Sequence, residues 1–301
     1  MPIPQKYRDL VSLFPQFLTV RRRKWAGLQD ILQASGLERP QFFLLKAIVE
    51  ETNPGEQLSR QQLESRLFNP YATFNPIFDA LPLLMEKGYL AQSDDSYRVT
   101  SQGRVLIEQT EQAARNYVAT LTPIPLLELT RLKALLEDIA QRMWQADEPA
   151  IKAHQARCHR QLAITTSAPM VHLEAAIFAL WMARDDAHIA SWCAKGLNGP
   201  QMDVLAHLAS GEIQTLPALA TALEYTQRPE DVAQSVASLS NAGYMLVEGE
   251  RITLTEAGWQ ALDKIERETD RVYFAPWPQL SEDELEGMYT SLKKICDILR
   301  A

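Results

Sequence analysis

Apolar residues at Leu129, Leu132, Leu136, Ile139 and Met143 recur at spacings of three and four, and so do Leu285, Met288, Leu292, Ile295 and Leu299. That spacing puts each set on one stripe of a helix with coiled-coil-like periodicity. The two sets align one for one, and the alignment continues upstream at a separation of 155 to 160 residues. Gly36-Leu37-Glu38-Arg39-Pro40-Gln41 returns as Gly196-Leu197-Asn198-Gly199-Pro200-Gln201, Gly88-Tyr89-Leu90 as Gly243-Tyr244-Met245, and Thr100-Ser101-Gln102-Gly103 as Thr255-Glu256-Ala257-Gly258. A repeat of this length means one small fold used twice.

Each copy predicts the same elements in order. A first helix runs into Gly36 or Gly196, which can close it in a left-handed cap. An apolar helix follows, from Pro40 to about Glu50 and from Pro200 to about Ser210, with proline suited to the first turn. Leu58–Leu67 and Leu216–Leu223 read as short helices, the first with Ser59 as N-cap. After a turn, a third helix starts near Asn75-Pro76 or Arg228-Pro229 and ends at Gly88 or Gly243. Pro82 lies inside the first of these, deletes a backbone hydrogen bond and is expected to kink it. Two extended runs then flank a turn: Tyr89–Ala91 with Tyr97–Val99, and Met245–Val247 with Ile252–Leu254. Helix, helix, turn, helix, hairpin is a winged helix.

The order resembles the MarR-type winged helix-turn-helix of bacterial regulators. The resemblance rests on the Gly88-Tyr89-Leu90 end of the third helix, the Tyr97-Arg98-Val99-Thr100-Ser101-Gln102-Gly103 passage from strand to helix, and the long helices that close each half. The second half is also similar to a group of bacterial tandem winged-helix proteins, through Arg184-Asp185-Asp186-Ala187-His188, Gly196-Leu197-Asn198-Gly199, Leu254-Thr255 with Gly258, and Glu268-Thr269-Asp270 followed by Pro276-Trp277. In the MarR family two chains pair through their terminal helices. The resemblance therefore implies a mainly α chain of two tandem winged helix-turn-helix domains, residues 1–147 and 148–301, each with a β-hairpin wing and a C-terminal dimerisation-type helix. The terminal stripes would pack on each other or on the first helix of the opposite half, as an intrachain pseudo-twofold dimer. The plainer alternative packs each stripe on its own domain.

Composition agrees with two globular domains: 46% of the 301 residues are hydrophobic and 23% charged. The longest apolar run, Ala175–Ala183, falls far short of the roughly 20 residues a membrane span needs, so a buried helix is expected. Cys158, Cys193 and Cys296 show no paired spacing, which speaks against a disulfide framework and for a reducing, cytoplasmic setting. Charge divides unevenly. Residues 1–150 hold 17 Lys and Arg against 18 Asp and Glu, whereas residues 151–301 hold 13 against 20. Within residues 201–250 one base, Arg228, faces seven acids, a surface that repels a phosphate backbone.

Double-stranded DNA, as the partner of a transcriptional regulator, is accordingly expected at the first half. Arg21, Arg22, Arg23, Lys24, Arg60, Arg66 and Arg98 are the phosphate candidates, with Asn69, Tyr71, Thr73 and Asn75 toward bases. Against this, no Lys or Arg occurs between Arg66 and Lys87, both wings are short and acidic, and four consecutive helical residues such as Arg21–Lys24 cannot share one face. The competing class is a winged-helix scaffold that binds a protein or small molecule and no DNA. The resemblance also implies a small aromatic effector, and Trp144, Trp181, Trp192, Trp259 and Trp277 near the junctions are candidates for its pocket, although large aromatics fill cores in any protein. Asp185, Asp186 and His188 with His172 and His159 lack any metal-binding spacing and read better as helix capping or a polar network between domains. With no phosphate loop, nucleotide fingerprint or nucleophile elbow, and with Cys158-His159 adjacent only along the chain, neither an enzyme nor a cofactor is expected.

Overall fold

Caps and prolines set where the helices begin. The computed structural model describes residues 3–67, 69–73, 76–161 and 166–301, and they are mainly helical. In the first half, α1 (Gln5–Val20) and α2 (Gly27–Ser35) precede α3 (Arg39–Glu51), which opens with Pro40 in its first turn and reciprocal bonds between Glu38 and Gln41. Gly36 closes α2 in the left-handed region at φ 66°. Ser59 ends the short strand β1 (Leu58–Ser59) and caps α4 (Arg60–Arg66), accepting the N–H of Gln62. A 3-10 turn (Pro76–Ala80), α5 (Leu81–Glu86), the hairpin β2 (Leu90–Ser93) and β3 (Ser96–Val99), and the long helices α6 (Ser101–Ala119) and α7 (Leu126–Gln145) complete it. The strands form one antiparallel sheet in the order β1-β3-β2.

The second half runs α8 (Ala153–Gln161), α9 (Pro169–Cys193), α10 (Gly199–Ala209), α11 (Leu216–Leu223), α12 (Pro229–Asn241), the hairpin β4 (Met245–Glu248) and β5 (Arg251–Leu254), α13 (Glu256–Phe274) and α14 (Glu282–Arg300). Here Asn198, Thr215, Thr255 and Ser281 cap α10, α11, α13 and α14 with their side chains.

Two details depart from the sequence reading. Pro82 does not kink a continuous helix; the third segment of the first half divides, and Pro82 sits in the first turn of α5, where its missing N–H costs nothing. Its counterpart α12 runs unbroken for 13 residues. The opening segment also differs between halves: α1 and α2 are separated by the turn around Arg21–Lys24, whereas α9 is one helix of 25 residues.

Three apolar clusters form the interior. The central one joins α1, α7, α9 and α14 with the ends of α6 and α13, and both leucine-rich stripes are buried in it from end to end. In it α7 packs on α9 and α14 packs on α1, so the last helix of each half lies against a long helix from the early part of the other. Tyr7, Tyr273, Phe274 and Trp277 close this cluster with edge-on ring contacts. A second cluster fills the first lobe, from Leu32 to Ile107, and a third fills the second lobe, from Trp192 to Ile265. Among the described residues no helix is long and apolar enough to cross a membrane.

Candidate nucleic-acid interface

The Arg21–Lys24 cluster divides: Arg21 and Arg22 turn inward, and Arg23 and Lys24 are exposed. Arg22 donates to both carboxylate oxygens of Glu174 on α9, at 2.8 and 3.1 Å, and Arg21 donates to the same carboxylate. Glu174 is buried, and a buried carboxylate needs such partners because desolvation otherwise favours its neutral form. Arg22 also lies 3.9 Å from Glu111 on α6, and Arg23 donates to the carbonyl of Arg300 at 3.3 Å. Arg21 and Arg22 therefore fasten the central helices, and Lys24 stands exposed beyond them.

The first lobe carries the remaining bases. Arg60, on the first turn of α4, pairs with Glu64 at 2.8 Å and stands over the Phe78 ring at 5.8 Å, with half its side chain in solvent. Arg66 bonds Glu56 at 2.6 Å and the carbonyl of Glu51 at 2.7 Å, and Arg98 is exposed on β3. Of the residues expected to face bases, the three described ones make bonds within the chain. Asn69 accepts the N–H of Tyr71 at 3.0 Å, while the Tyr71 ring packs against Trp192 and its hydroxyl donates to Asp185 at 3.1 Å. Burial, followed by the Asp185 charge, raises the Tyr71 hydroxyl pKa. The N–H of Thr73 donates to the carbonyl of Thr226 at 2.8 Å, and its hydroxyl oxygen accepts the N–H of Arg228 at 3.4 Å. Asn75 lies outside the described residues.

These bonds make a seam between the lobes. Its tightest point is Gly199 at the start of α10, where the backbone of Pro70 and Tyr71 occupies the place of a side chain. Helix α8 stitches the same junction: Arg157 donates to Glu51 at 2.6 Å and to the carbonyl of Arg66 at 2.9 Å. Asp186 of α9 caps α8, accepting the N–H groups of His154 and Gln155 at 3.0 and 2.9 Å and lying 2.9 Å from the His154 ring. His188 faces Thr269 and Glu266, so Asp186 and His188 serve a cap and a polar network. Among the described residues no cluster suits a metal ion. Sequence reasoning missed the seam. The available signal was Gly199 itself, since Asn198 already caps the helix and leaves glycine no local purpose.

The second lobe presents little positive charge. On α12 the exposed positions include Glu230, Gln234, Ser238 and Asn241, after Arg228 at its cap; the hairpin exposes Leu246, Val247, Glu248 and Glu250 with Arg251 as its base; and Tyr225 is exposed before α12. The five tryptophans do not converge. Trp144 lines a cavity of about 490 Å³ with Gln141, Gln155, Cys158 and His172, and Trp181 lines another of about 630 Å³ with Arg8, Arg184 and Asp270. Trp192 belongs to the second lobe's core, Trp277 to the central cluster, and Trp259 is half exposed. Burial pushes the Cys158 thiol up to about 12, which leaves no thiolate nucleophile at neutral pH.

Residues 156–301 match a helix-turn-helix family. The matched stretch spans α9 to α14 together with the hairpin β4-β5. No curated protein and no solved structure matches the chain.

Proposed function

We propose that this chain is a DNA-binding regulator of transcription, built as a single-chain counterpart of a MarR-type dimer, with winged helix-turn-helix domains at 1–147 and 148–301. The observation that carries the reading is the exchange of long helices, α7 onto α9 and α14 onto α1, which is how paired chains of that family hold together. DNA contact is one-sided. Arg60 and Arg98, joined by Lys24 and Arg66, supply the phosphate contacts, because the second lobe's acids repel DNA. The three unpaired cysteines suit a cytoplasmic setting. An aromatic effector would enter the cavity beside Trp144, which adjoins the α8 stitch between the lobes.

The test is retention of mixed genomic DNA fragments at about 50 and 200 mM salt, with an Arg60→Ala/Arg98→Ala variant alongside. Loss of two phosphate contacts should lower the slope of log affinity against log salt by about two.

A second reading is a helix-turn-helix scaffold that binds a protein or small molecule and no DNA. The seam favours it, since Tyr71 and Thr73 are spent on lobe-to-lobe bonds. No retention even at low salt would establish it over the first.

A further inference from the structure

The N-terminal halves of α7 and α14 line an open groove of about 530 Å³. Its apolar lining is Leu127, Leu132, Leu135 and Met288. Leu126 and Leu127 stand 65% and 64% exposed, among the most exposed large apolar side chains of the chain. Isolated exposed leucines need no explanation, but two in sequence beside an apolar groove form a patch. Glu128 accepts the Ser291 hydroxyl at 2.7 Å across the groove, fixing its width. The rim is acidic: Glu128, Asp283 and Glu284 line it with Arg131 as the one base, and Glu282 adjoins.

We propose that this groove receives an amphipathic helix of another protein, apolar on the face that enters and rich in Lys or Arg beside it. Charge decides the occupant. A second copy related by twofold symmetry would set the same acids against each other, whereas a basic helix pairs with them. The groove walls run from Leu127 to Leu135 and from Asp283 to Ser291, about 13 Å of helix axis each, so the partner inserts two or three apolar side chains at i, i+3 and i+4. Gly287 lies on the groove wall, where an added Cβ would meet no atom within 4 Å. Glycine in a helix interior is otherwise a weak choice, and here it keeps the groove open.

The experiment is fluorescence anisotropy of the full chain with a labelled lysine-rich, leucine-faced peptide of about 18 residues. The control has the same composition, scrambled so that its leucines share no face. The faced peptide should bind at least about tenfold tighter than the scrambled one. Gly287→Leu, which fills the groove and keeps or raises the melting temperature, and Leu127→Glu should each weaken it about tenfold or more. Asp283→Lys should weaken it and flatten its salt dependence. Equal binding of the two peptides, or faced-peptide binding untouched by Gly287→Leu, overturns the proposal. So does sedimentation showing a dimer that Leu127→Glu dissociates, because the occupant is then a second copy.

Discussion

The carbonyl of Pro70 in the first lobe lies against Gly199 in the second so closely that no Cβ could stand between them. Gly199→Ala should therefore push the lobes apart or distort the Pro70–Tyr71 backbone, at a cost of about 1–3 kcal/mol. Gly287→Ala, at an open helical position, should instead be neutral or stabilising by up to about 1 kcal/mol. Denaturant unfolding of the two variants checks both signs.

Glu174 is a buried acid of the central body, and its removal leaves two partly buried guanidinium groups facing each other. Glu174→Ala should cost about 3 kcal/mol or more. Arg23→Ala touches only the exposed carbonyl contact to Arg300 and should stay within about 0.5 kcal/mol. Equal effects in urea titrations would refute the central place given to Glu174.

Asp186 satisfies two backbone N–H groups at the start of α8. Asp186→Ala should cost about 1–2 kcal/mol, with lost amide-exchange protection concentrated in α8 and at the seam. Protection that falls uniformly through the chain would place its role elsewhere.

His154 and His188 should give opposite pH signatures. The hydrogen bond to Asp186 raises the His154 pKa above its ordinary 6.5, against opposing burial and with help from the charges of Asp185 and Asp186. Its contribution is thus complete below 6.5 and is lost as pH rises through the folded-state value. Burial lowers the His188 pKa more than Glu266 raises it, so stability from its neutral form is present above 6.5 and is lost as pH falls through the folded-state value. The melting-temperature gap between wild type and His154→Gln should widen from about pH 8 to pH 5.5, and the gap to His188→Gln should narrow over the same range.

The five leucine-rich positions in α7 and their counterparts in α14 were legible because a buried helical stripe must repeat at three and four. Cap residues such as Ser59 were legible for a similar reason, since their bonds span three residues. What escaped was long-range. Nothing near Tyr71 in the sequence shows that its hydroxyl meets Asp185, 114 residues away, and a run of arginines looks the same whether it faces solvent or Glu174. The tryptophans were misleading because their large apolar area is useful in any cluster, and theirs turned out to be several different ones.

The break between α1 and α2 gives the two lobes unequal mechanics. The second lobe is borne on two uninterrupted shafts, α9 and α13, which run from the central body into its core. The first is borne on one, α6, with the Arg21–Lys24 turn as its other attachment. A body with two rigid struts is clamped; a body with one strut and one jointed link can swivel. The first lobe is therefore the less stiffly mounted of the two, and the arginine pair on Glu174 braces the joint in its mounting.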